Sequence, residues 1–295
     1  MGLTAALALL RAHVLVVAVP GRPVLRLRAE AAVRARGWLL VADPEDADLL
    51  LVCGRAGGAF AQEVEVLWNR VPAPRSKRTV ADADGLDGAL DSAARVLADG
   101  ALQRRTAAEV PSVPAMRVPT RGRVRFGPAA RDWPSGLVLD CALDRRGRVG
   151  LVDASGRPLE PVADHLRDRV DDELRREVLD LAGAAALLRL VGWTPPAARI
   201  DGVVDGLLAD RLRRPLRRRV ERIARRVEAS VTLRWTLQRL VPGVPVRARL
   251  LELLGAPVDA AAGAAAPEWG ALLDGRPPAA VPLIVAAAEA EHGRA

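Results

Sequence analysis

The chain has 295 residues, 50% of them hydrophobic, and a formal net charge of +8. That is enough apolar material for one large or two ordinary domains, and it excludes disordered and fibrous classes for most of the length. Two cysteines, three histidines and no tyrosine leave too little for a disulfide framework, a zinc site, a self-contained iron-sulfur cluster or a histidine triad.

A reducing, cytoplasmic setting follows from the cysteine count. The apolar run at residues 3–10 is short, meets Arg11 and has no basic region before it, so no signal peptide is expected. No segment reaches the roughly 18 to 20 apolar residues of a membrane span, and the run at 181–191 is broken by Arg189. The chain therefore reads as soluble, or as peripheral at the inner face of a membrane.

Residues 13–19 form a continuous apolar run closed by Pro20 and Gly21, which predicts a buried strand; a helix over 23–36 follows, with Pro23 in its first turn and Gly37 at its end. Short strands at 38–42 and 49–53 share the unbroken apolarity of strands covered on both faces. A helix over 58–70, a break at Pro72 and Pro74, a strand over 77–81 and a helix over 85–100 complete an α/β layer. The domain division is 1–108, a Pro-rich linker at 109–121 carrying Pro111, Pro114 and Pro119, and 122–295.

After the linker, residues 136–143 and 148–153 flank Asp144-Arg145-Arg146-Gly147 as a hairpin. Leu166, Val170, Leu174, Val178, Leu181, Ala185 and Leu188 then mark one stripe of a long helix, interrupted near Gly183. Helices are expected over 201–213, over 215–240 with Leu216, Val220, Ile223, Val227 and Val231 on the buried face, over 246–254 and over 279–291. The Ala/Gly/Pro-rich stretch between the last two reads as a loose tail.

Most candidate sites have ordinary structural readings. The Cys53-Gly54-Arg55-Ala56-Gly57-Gly58 turn lies between a strand and a helix, yet matches neither nucleotide-binding glycine motif. Asp82, Asp84, Asp87 and Asp91 lack the spacing and terminal glutamate of a calcium loop and suit a helix start. Cys53 and Cys141 read as small core residues, and His165, beside Asp164 at a helix start, has no geometry for general-base work. No catalytic, cofactor-binding or metal-ligating set emerges.

The charge pattern is the exception. Lys77 is the only lysine, and residues 211–226 hold nine arginines (Arg211, Arg213, Arg214, Arg217, Arg218, Arg219, Arg222, Arg225 and Arg226) against Glu221 alone, which equals the excess of the whole chain. Like charges at this density require a neutralising partner. The internal candidate is the segment 164–180, with Asp164, Asp168, Asp171, Asp172, Glu173, Glu177 and Asp180. External candidates are an acidic subunit, anionic lipid headgroups or nucleic-acid phosphate. Trp235 is the only aromatic residue near, which disfavours single-strand stacking.

Residues 43–54 (Asp-Pro-Glu-Asp-Ala-Asp-Leu-Leu-Leu-Val-Cys-Gly), followed by a helix ending in Leu67-Trp68-Asn69-Arg70-Val71-Pro72-Ala73-Pro74, resemble the hydrogenase small-subunit-like iron-sulfur subunit of respiratory complex I, over residues 14–81. The resemblance implies a flavodoxin-like, three-layer N-terminal domain. It departs where that family holds its cluster: residues 20–24 and 80–85 contain no cysteine, and four thiolates are needed. Phe126-Gly127-Pro128 and Trp133-Pro134-Ser135-Gly136-Leu137-Val138-Leu139 look like the start of the large-subunit-like, quinone-pocket partner, whose metal cysteines and pocket tyrosine and histidine have no counterparts. The resemblance thus implies a degenerate, non-catalytic accessory or assembly subunit of a complex I-like or nickel-iron hydrogenase-like complex without cofactors. A free-standing binding protein, with the arginine helix on nucleic acid or anionic lipid, is the alternative.

Overall fold

The computed structural model describes residues 11–109, 122–127, 132–133, 137, 139–153, 171–210, 213–241, 243–256 and 269–292. In the N-terminal half, β1 (His13–Ala18), β2 (Leu39–Leu40), β3 (Leu49–Cys53) and β4 (Ser76–Val80) form a parallel sheet in the order β2-β1-β3-β4. β1 and β3 are central, in register from Val14 opposite Leu49 to Ala18 opposite Cys53. Alternate residues point to opposite faces, so a strand covered on both must be apolar throughout. Val14, Val16, Leu49 and Leu51 pack under α1 (Pro23–Ala35) and α3 (Leu86–Ala98), while Leu15, Val17, Leu50 and Val52 pack under α2 (Gly58–Arg70) through Phe60 and Val64. Edge strand β4 carries Lys77 and Arg78, polar residues that discourage further pairing.

The helix expected over 85–100 is α3, and a second helix that was not expected follows it. α3 stops at Ala98, and Asp99 Oδ1 accepts from the amides of Ala101 and Leu102, both at 3.0 Å, to start α4 (Gly100–Glu109). Gln103 of α4 is buried, taking the Arg75 amide and donating to the Arg75 and Val96 carbonyls. Nearly all of the expected linker lies outside the described residues. Beyond it, β5 (Arg123–Phe126), β6 (Leu139–Leu143) and β7 (Val149–Asp153) form an antiparallel sheet in that order. The expected hairpin is β6 and β7, closed by Asp144, whose Oδ1 accepts from the amides of Arg146 and Arg148; the third strand, β5, was not expected.

Helices fill the rest. α5 (Asp172–Leu190) begins at the Asp171 cap and runs unbroken through Gly183, contrary to the expected interruption. Gly183 faces α9 (Val246–Leu253), where a Cβ would meet Leu253 Cδ1 at 3.4 Å, an ordinary packing contact. Leu166 and Val170 of the predicted stripe lie outside the described residues. α6 (Thr194–Leu208) begins earlier than the expected residue 201, because Pro195 and Pro196 suit a first helical turn.

The single helix expected over 215–240 is α7 (Arg213–Ala229) and α8 (Val231–Leu240), separated where Ser230 Oγ accepts the Leu233 amide at 3.1 Å. Val231 is accordingly 65% exposed rather than buried. Within the stretch expected to be loose, α10 (Trp269–Leu273) buries Leu273, and residues 257–268 lie outside the described set. α11 (Val281–His292) contributes Val281, Leu283, Ile284 and Val285 to the helical core. α1 joins both halves: Leu25, Ala29 and Val33 face the sheet, while Val24 and Leu27 pack into the helical core. Among the described residues no helix is long and apolar enough to cross a membrane.

Candidate anion-binding interface

α7 buries Leu216, Ile223, Ala224 and Val227 and exposes its arginines. At 100° per residue these spread into three groups. Arg213 and Arg217 turn toward α5, where Arg213 Nη1 lies 3.8 Å from Glu173 and 3.9 Å from Glu177, and Arg217 Nε lies 3.9 Å from Glu177. Internal pairing is therefore real but loose, longer than hydrogen bonds and open to solvent screening. Of the seven expected carboxylates, these two meet the patch. Asp171 is spent on capping α5, and Asp164 and Asp168 lie outside the described residues.

Arg219, Arg222 and Arg226, at i, i+3 and i+7, occupy the side toward α6. With Arg225 and Ile223 they face Pro196, Arg199 and Gly202 of α6 across a groove of about 890 Å³. Among the described residues five guanidinium groups line it and no carboxylate does. Arg214, Arg218 and Arg225 form the third, outward group, of which Arg225 also reaches the groove. Among the described residues Arg214, Arg218, Arg219, Arg222, Arg225 and Arg226 make no ion pair, Arg222 donating only to the Arg218 carbonyl. Arg211 lies outside the described residues. Trp235, the aromatic residue expected nearby, is 59% exposed on α8 beneath Arg239.

Two ion-pair systems hold α6 in place. Arg189 of α5 donates through Nε and Nη2 to Asp132 and through Nη1 to Asp201 of α6. Burial opposes that charge, yet the Asp132 hydrogen bonds and both carboxylates hold the Arg189 pKa above the ordinary arginine value. Arg34 of α1 makes a bidentate pair with Asp205 of α6 at 2.5 and 2.9 Å. Arg199 and these anchors were missed in the sequence. The spacing of Pro196, Arg199 and Gly202, three residues apart, is the only local sign that they share a face.

The strand-end crevice, where ligands of parallel sheets bind, is filled by the chain itself. Gly54 has φ +101°, and a Cβ there would lie 2.2 Å from Val19 Cγ2. Arg22, buried, passes Gly54 and donates through Nη2 to the Ala81 carbonyl. Cys53 and Cys141 are buried in different sheets, and burial with the Asp140 charge pushes the Cys141 thiol up to about 11. With no cysteine in the turns after β1 and β4, this donor set does not fit an iron-sulfur cluster.

Asp82 Oδ1 accepts the Gly85 amide at the start of α3, and Asp87 and Asp91 pair with Arg36, so these aspartates have structural partners. His165 lies outside the described residues. His13 has Asp48 Oδ2 at 3.2 Å from Nδ1 and 2.8 Å from its amide nitrogen. Among the described residues no group of three or more His, Cys, Asp or Glu side chains is placed to hold a metal.

The residues that carry the resemblances have packing roles. Trp68 stacks under Arg75 at 4.2 Å, and Arg75 Nη1 donates to the Trp68 and Val71 carbonyls. Trp133 stacks on Phe126 at 5.8 Å and donates to the Leu137 carbonyl at 2.6 Å. Gly127, with φ +83°, leaves room for that bond, since a Cβ would lie 2.1 Å from the Leu137 oxygen. Comparison with protein-family models, curated proteins and solved structures finds no match to the chain.

Proposed function

We propose that the chain is a non-catalytic accessory or assembly subunit that docks on an acidic partner through the arginine face of α7. The observation that carries this reading is the set of exposed arginines on one helix with no ion pair among the described residues. Such a face repels itself until a negative surface covers it. Arg214 and Arg218, exposed and opposite the buried side of α7, are its leading edge. The resemblance names the partner class, a complex I-like or nickel-iron hydrogenase-like oxidoreductase. The strand order β2-β1-β3-β4 supports reading the N-terminal half as flavodoxin-like, and the filled strand-end crevice supports a scaffold without the redox centre.

The test is the identity of what co-purifies with the tagged full chain at low salt. Recovery of complex I-like or hydrogenase-like subunits, lost with Arg214→Glu and Arg218→Glu together, supports the reading. Recovery of nucleic acid or anionic lipid in their place, or of the same subunits with the variant, contradicts it.

A further inference from the structure

We propose that the groove between α6 and α7 binds a multiply phosphorylated small molecule, independently of the docking face formed by Arg214 and Arg218. Arginine reaches this space from both walls, Arg199 from α6 and Arg219, Arg222 and Arg226 from α7. The planar guanidinium fork matches phosphate oxygens two at a time. Among the described residues no carboxylate lines the groove, so a single phosphate would leave most of their positive charge unanswered, whereas a polyphosphate chain would balance it.

Size and shape narrow the occupant further. The groove, about 890 Å³, falls in the range of roughly 300 to 1,000 Å³ typical of small-ligand sites. Arg219 to Arg226 spans seven residues, about 10 Å along the helix. That suits a short polyphosphate, while an extended strand occupies about four or more nucleotides and needs a longer track. Pro196, Gly202 and Ile223 supply an apolar floor, and a Cβ at Gly202 would meet nothing within 4 Å. The uncharged part of the ligand rests there while its phosphates meet the arginines.

The experiment is isothermal titration of the full chain at low salt with inorganic tripolyphosphate, orthophosphate, a single-stranded oligonucleotide and phosphatidylserine vesicles. One equivalent of tripolyphosphate should bind more tightly than the other three probes. Arg219→Ala with Arg226→Ala, and separately Arg199→Ala, should weaken it about tenfold or more, while Arg214→Ala with Arg218→Ala should leave it unchanged. These side chains are exposed, and circular dichroism of each variant checks that it is folded. No tripolyphosphate binding, equal loss with the Arg214 and Arg218 pair, or tighter binding of oligonucleotide or vesicles overturns the proposal. Failure here is distinguishable from failure of partner docking, because docking is tested on Arg214 and Arg218 and by a different readout.

Discussion

Replacing Arg189 by methionine removes the cation that ties α5 to α6 and to the segment before β6. Its guanidinium donates to Asp132 at 2.7, 3.0 and 3.1 Å and to Asp201 at 2.9 and 3.0 Å, with Arg189 and Asp132 each 16% exposed and Asp201 14% exposed. Methionine keeps much of the aliphatic volume but leaves two mostly buried carboxylates facing a lost charge. Removing one member of such a system costs about 3–5 kcal/mol, and the residual exposure places the expectation near about 3 kcal/mol. Urea unfolding followed by tryptophan fluorescence reads this directly, since Trp133 adjoins Asp132 and Trp193 packs on the helical core. Adding Asp132→Asn and Asp201→Asn should recover at least half of the loss, because the mostly buried negative charge is removed as well. A loss below about 1 kcal/mol, the scale of an exposed pair, or a triple variant no more stable than Arg189→Met, refutes the reasoning.

The Cys141 thiol, raised to about 11, should resist iodoacetamide in the folded protein at about pH 8 and react in denaturing urea; modification of the folded chain would contradict its burial. The unfolded thiol ionises first, so the folded state binds more protons between 9.0 and about 11, and this group makes stability fall as pH rises through that window. Cys141→Ser should remove that part of the pH dependence. Arg34→Ala and Asp205→Ala, which break the bidentate link between α1 and α6, should couple by about 1 kcal/mol in a double-mutant cycle. Additivity within about 0.3 kcal/mol would show that apolar packing alone joins α1 to the helices.

What was legible in the sequence was local. The unbroken apolarity of residues 49–53 and the breaks around 58–70 placed β3 and α2 at their observed bounds, because burial on both faces and helix punctuation leave marks within a few residues. Ser230 was passed over because the apolar spacing from Leu216 to Val231 continues across it, although α8 then buries Leu233 and Leu237 instead. Asp99 ends α3 and caps α4, a short helix that left no mark in the sequence because the side chain it buries is the polar Gln103. The groove lay further out of reach. Its arginines on α7 were visible as a charge run, but Arg199 joins them only through helix packing. The same holds for His13 with Asp48, 35 residues apart, and for Arg22 closing the crevice on Ala81, 59 residues away.

The most direct test of partner docking is the salt dependence of the affinity between the full chain and the proposed acidic partner, measured for the natural chain and for Arg214→Glu with Arg218→Glu. Docking by an exposed arginine face predicts affinity that falls steadily as salt rises and a variant at least about tenfold weaker at low salt. An affinity indifferent to salt and unchanged in the variant would place the interface elsewhere on the molecule.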